Sequence, residues 1–324
     1  MKMINFRALI IVSFALLLAT SVASDDECAA DGPQCPDGYC CSNAGNCGYT
    51  EAYCSPENCQ SQCPDISDIF TESLFDQLLP KRDSVTCPAQ GFYTYNDFLT
   101  AARRFPEFSN TGDKEIRTRE LAAFFAQTST KTTGGTSGAP DEYEWGYCNK
   151  AEPSSTHDCV PGKWPCPPGI SYHPRGPIGL EYNYNYGPAG EALGYDLINN
   201  PELVIHDPVI SFETAIWYWT TARQTVINTT IPSCHDALVG KWTPTKEDLE
   251  AGRLPGYGVT INILFPYECG NETEYNVRNS INFYNRSTGI LEVGPGENVN
   301  CSNQKPFPQI DNLRNVIKMP IYEA

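Results

Sequence analysis

The chain has 324 residues, 40% hydrophobic and 11% aromatic, enough to bury one sizeable core with a small satellite beside it. Its formal net charge of −17 argues against nucleic acid or any acidic polymer as a partner, and leaves a neutral polysaccharide compatible. Fifteen cysteines argue against a reducing compartment.

The first element is a leader, residues 1–23. Lys2 and Arg7 flank the start of an almost continuous apolar run from Ala8 to Ala19, and Ser21-Val22-Ala23 offers small residues for cleavage. The run is too short to span a bilayer and no later segment is apolar enough, so a soluble, secreted chain with no membrane partner is expected. Without Lys2 and Arg7, 20 Lys+Arg stand against 39 Asp+Glu, a net of −19. Behind a leader the cysteines read as disulfides, formed on an extracellular or vacuolar route. Asn228, Asn271, Asn285 and Asn300 each head a glycosylation sequon on that route, with Asn300 disfavoured by the cysteine beside it.

Residues 25–64 come next. They hold eight cysteines: Cys28, Cys35, Cys40, Cys41, Cys47, Cys54, Cys59 and Cys63. So short a segment cannot close a hydrophobic core, and covalent staples must hold it. Eight cysteines admit roughly a hundred pairings, and the residues alone leave the choice open. Pro64 to Asp68 is a short linker. From Ile69 cysteines thin out and helical periodicity begins. Leu121, Phe124, Phe125 and Thr128 fall on one face of an amphipathic helix that Asp113 is placed to cap. Ile210 to Trp219 is apolar nearly all round, as in a buried helix. Strand-like alternation is scarce, so the region 69–307 reads as mainly α. The tail 308–324 lacks cysteine and clear periodicity, the mark of either a sorting extension or an unstructured end.

The cysteine-rich segment resembles a hevein-type chitin-binding domain, through Cys40-Cys41-Ser42 and the run Cys47-Gly48 to Tyr53-Cys54-Ser55-Pro56. The resemblance implies the pairs Cys28–Cys41, Cys35–Cys47, Cys40–Cys54 and Cys59–Cys63. It also implies sugar faces stacked on two Trp and a Tyr, with a Ser taking the acetamide. Ser42 and Tyr53 fill two of these places, but Ala44 and Asn46 stand where the Trp residues belong. Each lost platform costs about 1.5 kcal/mol, from about 60 Å² of apolar contact. Together they weaken binding about a hundredfold. Tyr49 is a candidate replacement face.

The large region resembles the plant family 19 chitinases. Matching blocks include Gly91–Tyr95, Arg119–Phe124, Thr132-Thr-Gly-Gly135, Trp145-Gly-Tyr-Cys148, Arg175-Gly-Pro-Ile178, Asn183-Tyr-Asn-Tyr-Gly187, Cys234-His-Asp236 and Gly252–Gly258. The resemblance implies a lysozyme-like, mainly helical fold with a long cleft for β-1,4-linked N-acetylglucosamine. It implies bridges Cys87–Cys148, Cys159–Cys166 and Cys269–Cys301, with Cys234 unpaired, and sugar contacts at Tyr184 and Asn185.

Inverting glycoside cleavage needs one protonated carboxyl as acid and one ionised carboxyl as base. The family carries its acid in a His-Glu-Thr-Thr-Gly-Gly run. Here Thr130-Lys131-Thr132-Thr133-Gly134-Gly135 puts Lys131 at the acid position, while Glu152, four residues after Cys148, falls at the base position. An ammonium with a reference pKa of about 10.4 is a poor proton donor near neutral pH. Facing Glu152 across the cleft, it would also hold that carboxylate in a pair. Further departures are Gly179 and Glu181 for Gln and Ser/Thr, Leu264 to Pro266 for Asn-Gly-Gly, Ser280 for Arg and Thr136 for Trp. These changes are expected to converge on the cleft. No metal or cofactor is called for.

Three functions follow as candidates: a non-hydrolytic binder of chitin-type oligosaccharide, a defence or wall protein with a non-carbohydrate partner, and an active endochitinase with an unusual acid. Fold alone does not choose among them.

Overall fold

The computed structural model describes residues 27–36, 39–48, 50–54, 58–152, 159–224, 230–270 and 275–308. The leader, Tyr49, Asn228, Asn271 and the tail from residue 309 lie outside them. Among the described residues no helix is long and apolar enough to cross a membrane.

The small module is built on its disulfides. Strands β1 (Cys40–Ser42), β2 (Cys47–Gly48) and β3 (Cys59–Ser61) form an antiparallel sheet in the order β2-β1-β3, and helix α1 (Glu51–Cys54) follows β2. Four bridges close it: Cys28–Cys41, Cys35–Cys47, Cys40–Cys54 and Cys59–Cys63. Its buried apolar cluster consists of Cys28, Cys35 and Cys41 with Cys47 against it, so sulfur replaces the hydrocarbon core that so short a segment cannot assemble.

The large domain is helical. Its helices are α2 (Glu72–Leu78), α3 (Tyr95–Ala102), α4 (Lys114–Thr132), α5 (Asn183–Leu193), α6 (Leu203–His206), α7 (Pro208–Thr220), α8 (Cys234–Val239), α9 (Lys246–Glu250), α10 (Tyr257–Leu264) and α11 (Tyr275–Ile290). A small ribbon, β4 (Arg223–Gln224) with β5 (Thr230–Ile231), follows α7. Bridges Cys87–Cys148, Cys159–Cys166 and Cys269–Cys301 close here too, and Cys234 is free and buried. Cys87–Cys148 spans 61 positions, a loop whose closure is worth about 4 kcal/mol in the chain-entropy model.

Asp113 caps α4 by accepting from the Ile116 amide at 2.9 Å, as expected. The helix is not amphipathic, however. Every residue from Glu120 to Ser129 is buried, because α8 and α11 pack on α4 and the aromatic rings of α3 and α7 surround it. Phe70, Phe98, Phe124, Phe125, Phe212 and Trp219 make successive edge or tilted ring contacts through this core.

The packed region also begins earlier than Ile69. Asp65 forms a capping box with Asp68 around a 3₁₀ turn at Ile66–Asp68, and Ile66 and Phe70 are buried in the large core. The linker is therefore docked onto the large domain from Asp65 onward.

Candidate active-site cleft

The last turn of α4 positions Lys131. Thr128, Thr130 and Thr132 each turn a hydroxyl back onto the carbonyl four residues earlier, at 2.7, 2.8 and 2.7 Å. Thr132 also accepts from the Tyr147 amide at 2.8 Å, and the Tyr147 hydroxyl donates to Thr128 at 2.8 Å. The helix then stops at Thr133, in extended conformation. The glycine pair after it has a packing reason: a Cβ on Gly134 would lie 2.4 Å from the Cys148 sulfur, and one on Gly135 would lie 2.3 Å from the Glu142 carbonyl oxygen. These residues hold the scaffold around the end of α4.

Lys131 does not pair with Glu152. Its ammonium lies 3.4 Å from Glu268 Oε1 and 3.5 Å from the centre of the Phe265 ring. Glu152 is exposed beyond the bridge between Ala151 and Arg175, with its amide on the Pro174 carbonyl at 3.0 Å. Local reading missed Glu268 because it lies 137 positions from Lys131 and is carried by a separate turn, Pro266–Glu268. Its signal in the sequence is slight: a lone carboxylate directly before Cys269.

A cavity of about 220 Å³ adjoins this pair. One wall is Ile178, Gly179, Glu181, Tyr182, Tyr184 and Asn185, the other runs from Ile263 to Glu268, and Tyr218, Arg223 and Ile231 complete it. Tyr182 and Tyr184 stack with ring centres 5.0 Å apart and planes 8° apart. Tyr182 reaches that position at φ +66 and ψ 143, a conformation costly for a side-chain-bearing residue, just before α5 starts. Asn183 anchors the helix start by bonding Val160 N, Val160 O and Trp164 O, each at 2.9 Å. Asn185 donates its amide to the Glu181 carbonyl at 2.7 Å, leaving its own carbonyl oxygen as the group to offer a sugar.

Ser280 and Thr136 are not among the residues that line this cavity. Ser280 is buried in the seam between α4 and α11, bonded to Tyr257 at 2.7 Å and Gln127 at 3.3 Å. Thr136 is exposed on the loop after the glycine pair, outside the residues that line the cavity. Gly179, Glu181 and Leu264 do line it.

In the small module Ser42 is buried, and its hydroxyl accepts from the Asn46 amide at 3.2 Å. Tyr53 is half-buried, with its ring against Gly48, where an added Cβ would sit 2.3 Å from it. Ala44 and Asn46 are both exposed, so the Trp positions carry no aromatic face. Cys28, Cys35 and Cys41 approach one another closely enough to suggest a metal cluster, but all three sulfurs are committed to disulfides.

Residues 69–301 match the family description "Chitinase class I", and residues 27–63 match "Chitin recognition protein". The chain belongs to the class I chitinase family. It is 48% identical to "Endochitinase B" of Nicotiana tabacum, over 95% of this chain and 97% of that protein. It is likewise 48% identical to "Basic 30 kDa endochitinase" of Solanum lycopersicum, over 95% and 97%. Among solved structures, the class IV chitinase from Zea mays superimposes with a TM-score of 0.56 at 28% identity, over 72% of this chain and 98% of that one. Chitinase C from Streptomyces griseus does so with 0.56 at 29%, over 72% and 97%. The relatives' names favour a hydrolase.

Proposed function

We propose that this chain is a secreted or vacuolar chitin-directed protein whose large domain holds N-acetylglucosamine oligosaccharide in its cleft without hydrolysing it. Lys131 carries the reading. A carboxylic acid placed to protonate the leaving oxygen contributes about 10²- to 10⁴-fold, and an ammonium held by Glu268 and Phe265 is a poor donor near neutral pH. The stacked Tyr182–Tyr184 face and the Asn185 carbonyl support retained sugar contact. In the small module Ser42 and Tyr53 remain while both Trp platforms are gone, so its share of binding is weak.

A second reading, an active endochitinase, is favoured by the full-length similarity to proteins named endochitinases and by Glu152 at the base position. It needs an acid other than residue 131, and Glu268 is a carboxyl on the cavity wall. Chitin hexamer binding and hydrolysis, measured on one preparation, separate the readings. Binding without products supports the first, and release of shorter oligomers establishes the second. Neither binding nor release would point to a non-carbohydrate partner.

A further inference from the structure

Behind the Ile263–Glu268 wall, the end of α4, the first turns of α11 and the turn at Pro266–Glu268 meet. Lys131 Nζ touches Glu268 at 3.4 Å and lies 3.5 Å from the centre of the Phe265 ring. From α11, Asn276 donates to the same Glu268 oxygen at 3.2 Å. One turn along α11, Ser280 donates at 3.3 Å to Gln127, itself one turn before Lys131 on α4. Glu268 thus closes the end of the seam that Ser280 and Gln127 continue. The Lys131 side chain is 26% exposed and that of Glu268 15%, so water screens neither charge fully. Phe265 and Glu268 line the cavity, whereas Lys131 stands behind them.

We propose that Lys131 is a positioning residue, an ammonium that ties the Phe265–Glu268 turn to the end of α4 and so holds one wall of the oligosaccharide cavity. Restoring a carboxyl there sets it against Glu268 and strips the Phe265 ring of its cation, so single reversion damages the wall. The affinity arm of the test rests on the function proposed above; the melting arm does not.

The experiment uses full-length protein and chitin hexamer. Lys131→Glu should melt about 2–6 °C below the parent and lose about tenfold in affinity. Lys131→Arg should keep both properties. Adding Glu268→Gln to Lys131→Glu removes the like-charge contact, and should raise melting temperature and affinity together above the single variant. The proposal is overturned if Lys131→Glu melts with the parent, if Glu268→Gln brings no recovery, or if stability falls while affinity stays. Should Lys131→Glu fail to fold, Lys131→Met, Glu268→Gln and their double measure the same coupling, and additive losses would sink the clamp. Should the parent bind no hexamer, the function proposal fails and melting alone decides the clamp.

Discussion

Lysine in the last turn of a helix is ordinarily explained by the macrodipole. Lys131 has that favourable position and, in addition, a carboxylate and an aromatic face. Purified protein incubated with chitin hexamer should therefore release no product above a buffer control, and robust release of dimers and trimers would establish the second reading. Asn185 gives a second residue-scale expectation. Its amide is committed to Glu181 and the residue lines the cavity, so Asn185→Ala should weaken hexamer binding by about 1–2 kcal/mol, roughly 5- to 30-fold by titration calorimetry. An unchanged affinity would remove Asn185 from the site. The lysine at residue 131, set before a Thr-Thr-Gly-Gly run, is plain in the sequence. Its partner is not, since nothing local ties residue 131 to residue 268. Where Ser280 packs is hidden for a related reason: its burial against Tyr257 and Gln127 depends on how distant helices pack.

At the scale of the element, periodicity located α4 and α7 but understated burial on α4, because polar residues there are satisfied inside the core. Glu120 is fully buried and accepts from Trp219 at 2.9 Å and the Ser109 amide at 2.9 Å, and its Oε1 lies 2.8 Å from His235 Nδ1 on α8. A glutamate in a helix pattern reads as a solvent face; only the fold supplies partners 99 and 115 positions away. Burial pulls the His235 pKa down, but the charge and hydrogen bond of Glu120 outweigh it and leave it raised. The folded-state pKa thus lies above the unfolded value of about 6.5. The pair's contribution is complete below that pH and is lost as pH rises through the folded pKa. In urea unfolding from pH 5 to 9 the parent should lose stability over the upper part of this range, while His235→Gln should start less stable and show a flatter profile. Parallel profiles would show that the imidazolium contributes nothing.

For the whole molecule, two separate cores and one docked linker set what each module can do alone. The disulfide cluster of the small module shares no residue with the large helical core. Asp65 marks the join: Arg103 binds its carboxylate at 3.0 and 3.2 Å, and that hydrogen bond holds its pKa down to about 2, below the ordinary 3.8. A lowered pKa means the clamp is complete above the unfolded value and lost only as pH falls towards 2, so it persists at mildly acidic pH. Removal of residues 24–64 leaves Asp65, its capping box and buried Ile66 in place, and the large domain should fold. If the cleft is the sugar site, the shortened protein should bind hexamer about as tightly as the full chain. Affinity should also rise from trimer to hexamer, because a groove adds contacts with length that a small disulfide-stapled face cannot. Binding confined to the full-length protein, or independent of oligomer length, would leave the cleft vestigial and make a non-carbohydrate partner the better reading.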